Sequence, residues 1–435
     1  MKRNVIVLFV ALLGLSWFTA LSEAVNDPKE LKAHLDRAAE LEEKGIYVDA
    51  AAEYESALEY DPDNVDIHIK MAQAYLYSGE SREFILICES TAENYQDNTE
   101  ALDLLMDYYV ENHYEDKAVK YLQEFIKTYP DNENASNWFV KLEGSYTELF
   151  CRYTQLSGIV NDTMVVCDGE LYGIADAEGR ELVPAMYKTL QPFSEDGFAL
   201  AEKTDGTWIY IDKDGQTRKV PDEEYQDFGM LNEDRAPASK GGMFGYLDEE
   251  MEPTGEFAWD KLTAVKEGTG AGQTGEKWAI VDENGEAKSE DRYEDVIVDE
   301  DGFCSNQKRI FAKEGDAYHL IDEKEKTVGD LSFENARAFT NEGYAAVCND
   351  GKWGFINTDG ELVIDYIYDD AKSFKNGFAA VSVEGDWGYI DEEGNLVIEP
   401  QFSEATYFSG EGTVAVKVLS QGEEDWQLLQ LSLFQ

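Results

Sequence analysis

The chain is poor in the residues on which covalent stapling and most side-chain chemistry depend. Among 435 residues there are 5 cysteines and 4 histidines. Cys88, Cys151, Cys167, Cys304 and Cys348 are too few and too scattered for a disulfide framework, and none has zinc-ligand spacing. Buried free thiols are one reading of them, and a single Cys304–Cys348 pair is the other. His34, His68, His113 and His319 are dispersed, outside any Ser/His/Asp or Cys/His setting. Basic residues are scarce too, 36 against 91 acidic ones, for a formal charge of −55. The imbalance holds in both parts, 30 to 12 over residues 1–150 and 61 to 24 beyond, so it is no acidic tail. It argues against nucleic acid and anionic membrane surfaces, and favours solubility and a basic partner. Long apolar runs are absent save one, the 17 residues Val5 to Leu21 behind Lys2 and Arg3. That pattern reads as an export signal, with Ser22-Glu23-Ala24 offering small residues before Val25. It also reaches the lower limit of a spanning helix with its N-terminus inside. Cleavage and retention as an anchor both stay open, and the expected location is extracytoplasmic, with membrane contact through this segment alone.

What the chain has is repetition. Gly351-Lys352-Trp353-Gly354-Phe355-Ile356-Asn357-Thr358-Asp359-Gly360 returns as Gly385-Asp386-Trp387-Gly388-Tyr389-Ile390-Asp391-Glu392-Glu393-Gly394, and Trp353 and Trp387 are 34 residues apart. A fixed period of that size marks a repeat architecture. Alternation puts Trp353 and Phe355 on one strand face and Ile356 on the other. The Asn/Asp-rich tetrapeptide ending in glycine is turn chemistry, and Leu362-Val363-Ile364 is the returning strand. Glycine beside the aromatic leaves room for close approach of a neighbouring ring or backbone. The equivalent aromatics are Tyr172, Trp208, Phe244, Trp278, Tyr318, Trp353, Trp387 and Trp426, at spacings of 36, 36, 34, 40, 35, 34 and 39. The copies around Phe244 and Tyr318 lack the glycine-containing turn. This wording resembles the bacterial WG-repeat (KWG-like) family, most clearly at the two ends of the array.

From Leu31 to Asn132 the pattern is helical with its own 34-residue period. Ala38, Leu41 and Gly45 return as Ala72, Tyr75 and Gly79, then as Met106, Tyr109 and His113. Ala50 returns as Phe84 and Ala118, and Pro62 as Gln96 and Pro130. Small residues permit close helix crossing, and proline ends a helix. The units 31–64, 65–98 and 99–132 resemble tetratricopeptide repeats, the second departing at Phe84, Thr91 and Gln96. Asn134 to Tyr153 reads as a capping helix over the last unit. The resemblance implies a concave face able to hold an extended peptide or a partner helix. Its candidate partner-binding residues are Lys32, Leu35, Ile69, Lys70, Gln73, Tyr77, Leu104 and Asp107. Only Lys32 and Lys70 could serve a carboxylate clamp, so capture of an acidic C-terminus is not expected.

The fold class is therefore α + β multidomain: a helical tetratricopeptide solenoid, then an all-β repeat domain. The expected divisions are 1–24 (signal peptide or anchor), 25–155 (helical repeats with capping helix) and 160–435 (β repeats). Copies of 34–40 residues must bury sheet faces against each other, and radial closure protects their edges. A propeller-like ring of seven or eight blades is favoured, with a linear β-solenoid as the alternative. Closure would require the two ends of the β domain to complete one shared blade, with Thr163–Cys167 as the extra strand. Asp212-Lys213-Asp214-Gly215 and its relatives could offer oxygen to calcium but lack the distal ligands of a continuous loop, and hairpin turns account for them better. The tryptophans are either core packing or a sugar- or peptide-binding platform. No cofactor, metal or catalytic set is called for. The expected function is an exported, non-catalytic binding or scaffold protein for a protein or peptide partner, or for an envelope polymer. A structural element of an envelope complex and a cryptic hydrolase are the alternatives.

Overall fold

A computed structural model describes residues 27–434 apart from 154, 222–223, 290–291 and 421. The signal or anchor expected at 1–24 lies outside the described residues. The chain divides into two compact units between Leu142 and Glu143. Among the described residues no helix is long and apolar enough to cross a membrane.

The first unit holds α1 (Pro28–Glu43), α2 (Tyr47–Leu58), α3 (Val65–Ser78), α4 (Ser81–Asn94), α5 (Glu100–Glu111), α6 (Glu115–Thr128) and α7 (Glu133–Leu142). Three helix starts are fixed by side-chain caps. Asp27 accepts from the Lys29 amide, Asn64 from Ile67 and Asn132 from Ala135. The 34-residue period is the packing rule: Ala38, Ala72 and Met106 are buried, as are Ala50, Phe84 and Ala118. Phe84 therefore does not break the second unit. Its ring fills the crossing and meets Tyr108 at 5.1 Å. Each unit turns through a left-handed residue, Gly45 (φ 71°), Gly79 (φ 87°) and His113 (φ 57°). The last helix covers α5, since Trp138 Nε1 and Asn134 Nδ2 both donate to Asp103 (2.7 and 3.0 Å). It stops at Leu142, short of the expected Tyr153, because Tyr146–Leu149 is a β-strand.

The second unit consists of antiparallel sheets. The last blades show the pattern: a two-residue strand, two long strands and an outer strand, as in Asn335–Ala336, Tyr344–Asn349, Lys352–Asn357 and Leu362–Tyr368. The next is Asp370–Ala371, Ala379–Val383, Asp386–Ile390 and Leu396–Phe402. Each of the eight aromatics from Tyr172 to Trp426 lies in the middle strand of one such copy. The first two copies share a seven-stranded sheet, and the third and fourth are reduced to two and three strands. We number these copies as blades one to eight.

The sheets pack face against face. Trp353 and Phe355 share a core with Phe374, Val381 and Ile390 of blade seven. Ile356, from the opposite face, joins Phe311, Leu320 and Phe333 of blade five. The same sharing of cores continues around the array and returns to its start, where Ala415 and Leu428 of blade eight pack with Met164, Val166 and Ala175 of blade one. The outer strand of blade eight is Tyr146–Leu149, paired with Glu423–Leu431 in the register Tyr146↔Leu431 to Leu149↔Leu428. The architecture is an eight-bladed, propeller-like ring, and the linear solenoid is set aside. The closing strand is not Thr163–Cys167, which sits inside blade one. The residues read as part of the capping helix provide it, because the alternating Tyr146-Thr147-Glu148-Leu149 can pair with the otherwise bare edge of blade eight.

The tryptophan–glycine pair has a backbone explanation. Three outer-strand residues, Glu399 to Gln401, face the single middle-strand residue Gly388 between the pairs Trp387↔Phe402 and Tyr389↔Ile398, so the outer strand bulges over Gly388. A Cβ there would lie 2.4 Å from the Ile398 carbonyl oxygen, and one at Gly354 2.6 Å from that of Ile364. The following turns are held by their first residue. Asn357 Oδ1 accepts from the amides of Asp359 and Glu361, and Asp212 Oδ1 from those of Asp214 and Gln216. Asp212 is thus committed to the hairpin turn. The copies expected to lack this turn have it: Asp248 and Asp322 make the same bonds, with Met251 (φ 65°) and Glu325 (φ 61°) where others have glycine. The carboxylate bonds and the packing of Met251 outweigh the cost of a side chain at positive φ, of order 1–2 kcal/mol. All five cysteines are free thiols, so the Cys304–Cys348 pair is not made.

Candidate functional site

On the helical unit, the candidate partner-binding residues fall on the first helix of each pair. Lys32, Lys70, Tyr77 and Asp107 are exposed, and Leu35, Gln73 and Leu104 are half-buried. Ile69 does not belong with them: at 4 % exposure it is part of the core. Lys32 is held by Asp36 at 2.8 Å. Tyr77, 66 % exposed, lies 5.3 Å from Tyr47, and Ile46 and Val48 are exposed beside it in sequence. Exposed Tyr77 against half-buried Tyr47, with two exposed aliphatic neighbours on an acidic unit, can hold an apolar side chain flanked by positive charge.

In the ring, the eight repeat-defining aromatics are core rather than platform. Trp278, Tyr318 and Trp353 are buried, and Tyr172, Trp208, Phe244, Trp387 and Trp426 half-buried. Arg337 covers the Trp353 ring and Lys417 that of Trp426.

The feature that sequence reasoning missed is a cavity of about 310 Å³ lined by residues of seven blades, from Asn161 of blade one to Tyr407 of blade eight. One space can meet seven sheets only if they surround it, so it lies on the ring axis. Its rim is tied by polar side chains passing between blades. Asn161 donates to the Phe193 carbonyl, Gln307 to Asn341 and Asn376 to Phe408 (2.9, 2.8 and 2.7 Å). The Gly410 amide donates to Asp162 at 2.8 Å, joining blade eight to blade one.

Charge in this cavity is mixed and mostly paired. Lys266, 6 % exposed, meets Glu195 at 2.6 Å, Lys372 meets Glu300 at 2.9 Å, and Arg337 meets Asp370 at 3.0 Å. Lys372 and Lys375 stand over the Tyr407 ring. Asp299 accepts from the amides of Asp301 and Phe303 (3.0 and 2.8 Å), yet burial pushes its carboxyl up to about 7. Burial also raises Asp301, against the pull of Lys375. The signal for this site was the spacing of 40 between Trp278 and Tyr318, the longest in the array. Blade five takes eleven residues from Val296 to Asn306, where blade seven takes five from Ala371 to Lys375. The six additional residues bring Asp299, Glu300 and Asp301 to the axis.

The architecture defines a helical-repeat unit followed by a propeller-like ring. The family model of the WG-containing repeat matches residues 172–208, 320–353, 353–385 and 387–419, and a tetratricopeptide-repeat model matches 41–106. The chain therefore carries both kinds of repeat, and the unmatched stretch contains the two reduced blades. No curated protein matches. Among solved structures it is similar to PorZ, a surface component of the type-IX secretion system of Porphyromonas gingivalis, at 13% identity and TM-score 0.35. That likeness covers 64% of this chain and 43% of PorZ, so the chain spans less than half of that protein's length. It is also similar to Hsv2 of Kluyveromyces lactis (10% identity, TM-score 0.35, 63% of this chain and 98% of that one). A third likeness is to the β-propeller domain of Cps50 (Swd1) from Myceliophteria thermophila (11% identity, TM-score 0.33, 56% and 97%).

Proposed function

We propose that this protein is an exported, non-catalytic scaffold that holds a basic protein or peptide partner on its helical repeats. The ring would present a second surface to another protein or an envelope polymer. The observation that carries the reading is exposed Tyr77 packed against half-buried Tyr47, with Ile46 and Val48 exposed on a strongly acidic unit. Two repeat modules of the interaction type in one chain support it. Export rests on the Lys2-Arg3 start and the apolar run to Leu21. The test is affinity capture from intact cells, comparing the unaltered chain with Tyr47→Ala/Tyr77→Ala. A partner of basic composition should be retained by the first and lost by the second. Equal recovery by both would remove the helical face from the account, and a cytoplasmic location of the full chain would remove export.

A further inference from the structure

The axial cavity is a feature of the ring alone and is independent of the helical face. Its lining contains polar groups that the fold leaves without partners. Asp301 Oδ1 is enclosed and has no hydrogen-bond partner. Asn306 lines the same space at 6 % exposure, and its side-chain amide makes no hydrogen bond among the described residues. A buried acceptor left unmade costs free energy, of order 1–3 kcal/mol and more for a charged group. Both groups belong to the segment between Val296 and Arg309 that is longer in blade five than in blade seven. The six added residues thus enlarge a loop at the axis and leave the enclosed Asp301 carboxylate oxygen there unsatisfied.

The charges around them determine which ligand would complete the site. Lys266, Lys372 and Arg337 are already matched by Glu195, Glu300 and Asp370. What remains is Asp299 and Asp301 against Lys375, which stands over Tyr407 and whose charge acts on Asp301. The unmatched balance is one negative charge, with carboxylate and amide oxygens as acceptors. We propose that the axial cavity is a binding site for a guanidinium or ammonium group on an aliphatic stem, seated between Asp299, Asp301 and Asn306. A guanidinium can donate to two carboxylates at once, and this is the arrangement in which it is held most strongly. The volume of about 310 Å³ accommodates one such side chain or a small free amine, and excludes a folded segment.

The probes are butylguanidine, its neutral counterpart butylurea, the tripeptide Gly-Arg-Gly and inorganic phosphate, titrated calorimetrically into the whole chain at pH 8. Butylguanidine should bind, and butylurea and phosphate at least tenfold more weakly. Asp301→Asn should weaken butylguanidine by roughly tenfold or more, the usual value of a hydrogen bond to a charged group. Asn306→Ala should weaken it less and leave the preference for the cation intact. Binding should tighten as the pH rises from 6 to 8, because the carboxylates must be ionised to hold a cation. Gly-Arg-Gly matching butylguanidine would identify a peptide side chain as the ligand, and exclusion of the tripeptide a free amine. Thermal melts of both variants at the unaltered temperature keep loss of binding distinct from loss of fold. Preference for phosphate, equal affinity of Asp301→Asn, or no heat from butylguanidine at millimolar concentration would each overturn the proposal.

Discussion

Replacing Gly388 by alanine tests the reason for the tryptophan–glycine pair. The added Cβ would meet three backbone atoms of the outer strand: Ile398 O at 2.4 Å, Pro400 N at 2.7 Å and Glu399 C at 2.9 Å. Real Cβ contacts of this kind are essentially never below 3.0 Å. Because the obstacle is backbone, no side-chain rotation relieves it, and the bulge at Leu396–Phe402 must lift. That strand carries Ile398 and Phe402 into the core shared with blade eight, so lifting it loosens two apolar contacts as well. Overpacking of this kind costs about 1–3 kcal/mol. For a large domain each kcal/mol moves the melting temperature by roughly 2–4 °C, so a fall of about 2–12 °C is expected. The assay is a calorimetric melt of the ring transition. Gly385→Ala is the comparison, since no atom lies within 4 Å of its added Cβ and only its positive φ of 97° is strained. A melt of Gly388→Ala unchanged within a degree, or less affected than Gly385→Ala, would refute the steric account.

His113→Gly should stabilise the helical unit by about 0.5–1 kcal/mol, because His113 occupies at φ 57° the position of Gly45 and Gly79. Its exposed side chain contributes only a 4.0 Å approach to Glu115, and a helical melt that falls would contradict this. Asp299 has its carboxyl raised from the ordinary 3.8 to about 7, so the folded chain holds more protons than the unfolded one between those values. The stability contributed by protonated Asp299 is therefore present at low pH and lost as pH rises from about 4 to about 7. Asp299→Asn should remove that fall and melt higher than the unaltered chain at pH 8. An identical pH profile for the two would place the carboxyl in water.

Much of the ring was legible because its periodicity is carried by large residues. Trp353 and Phe355 on one face and Ile356 on the other read as a two-faced strand, and the structure uses those faces for two different neighbours. The helical period was legible for the same reason, from Ala38, Ala50 and their successors. The closing strand was not. Tyr146–Leu149 has its partner some 280 residues away, and four alternating residues next to a helix carry no local mark of a distant strand. The turns of blades three and five carry no glycine, so glycine does not mark them in the sequence. The bonds from Asp248 and Asp322 are the constant part, and Met251 and Glu325 adopt positive φ within them. Ile69 falls on the partner face by its position in the helix, and only its burial, at 4 % exposure, places it in the core. The axial site was invisible for a related reason: its residues come from seven copies, and only the added length of blade five signals it.

Closure of the ring by a strand from the start of the β unit is the central claim, and hydrogen exchange tests it directly. Replace Tyr146–Leu149 by Gly-Ser-Gly-Ser in the otherwise unaltered chain and follow amide protection across Glu423–Leu431 and across Met164–Ala175. In the closed ring the first segment loses its outer partner. The second then loses support, because Met164, Val166 and Ala175 share a core with Leu428 of blade eight. Protection should fall in both, while Lys277–Asp282 of blade four, on the far side of the ring, keeps most of its own. Unchanged exchange at Glu423–Leu431 would mean that Tyr146–Leu149 does not pair there and that the ring is not closed as described.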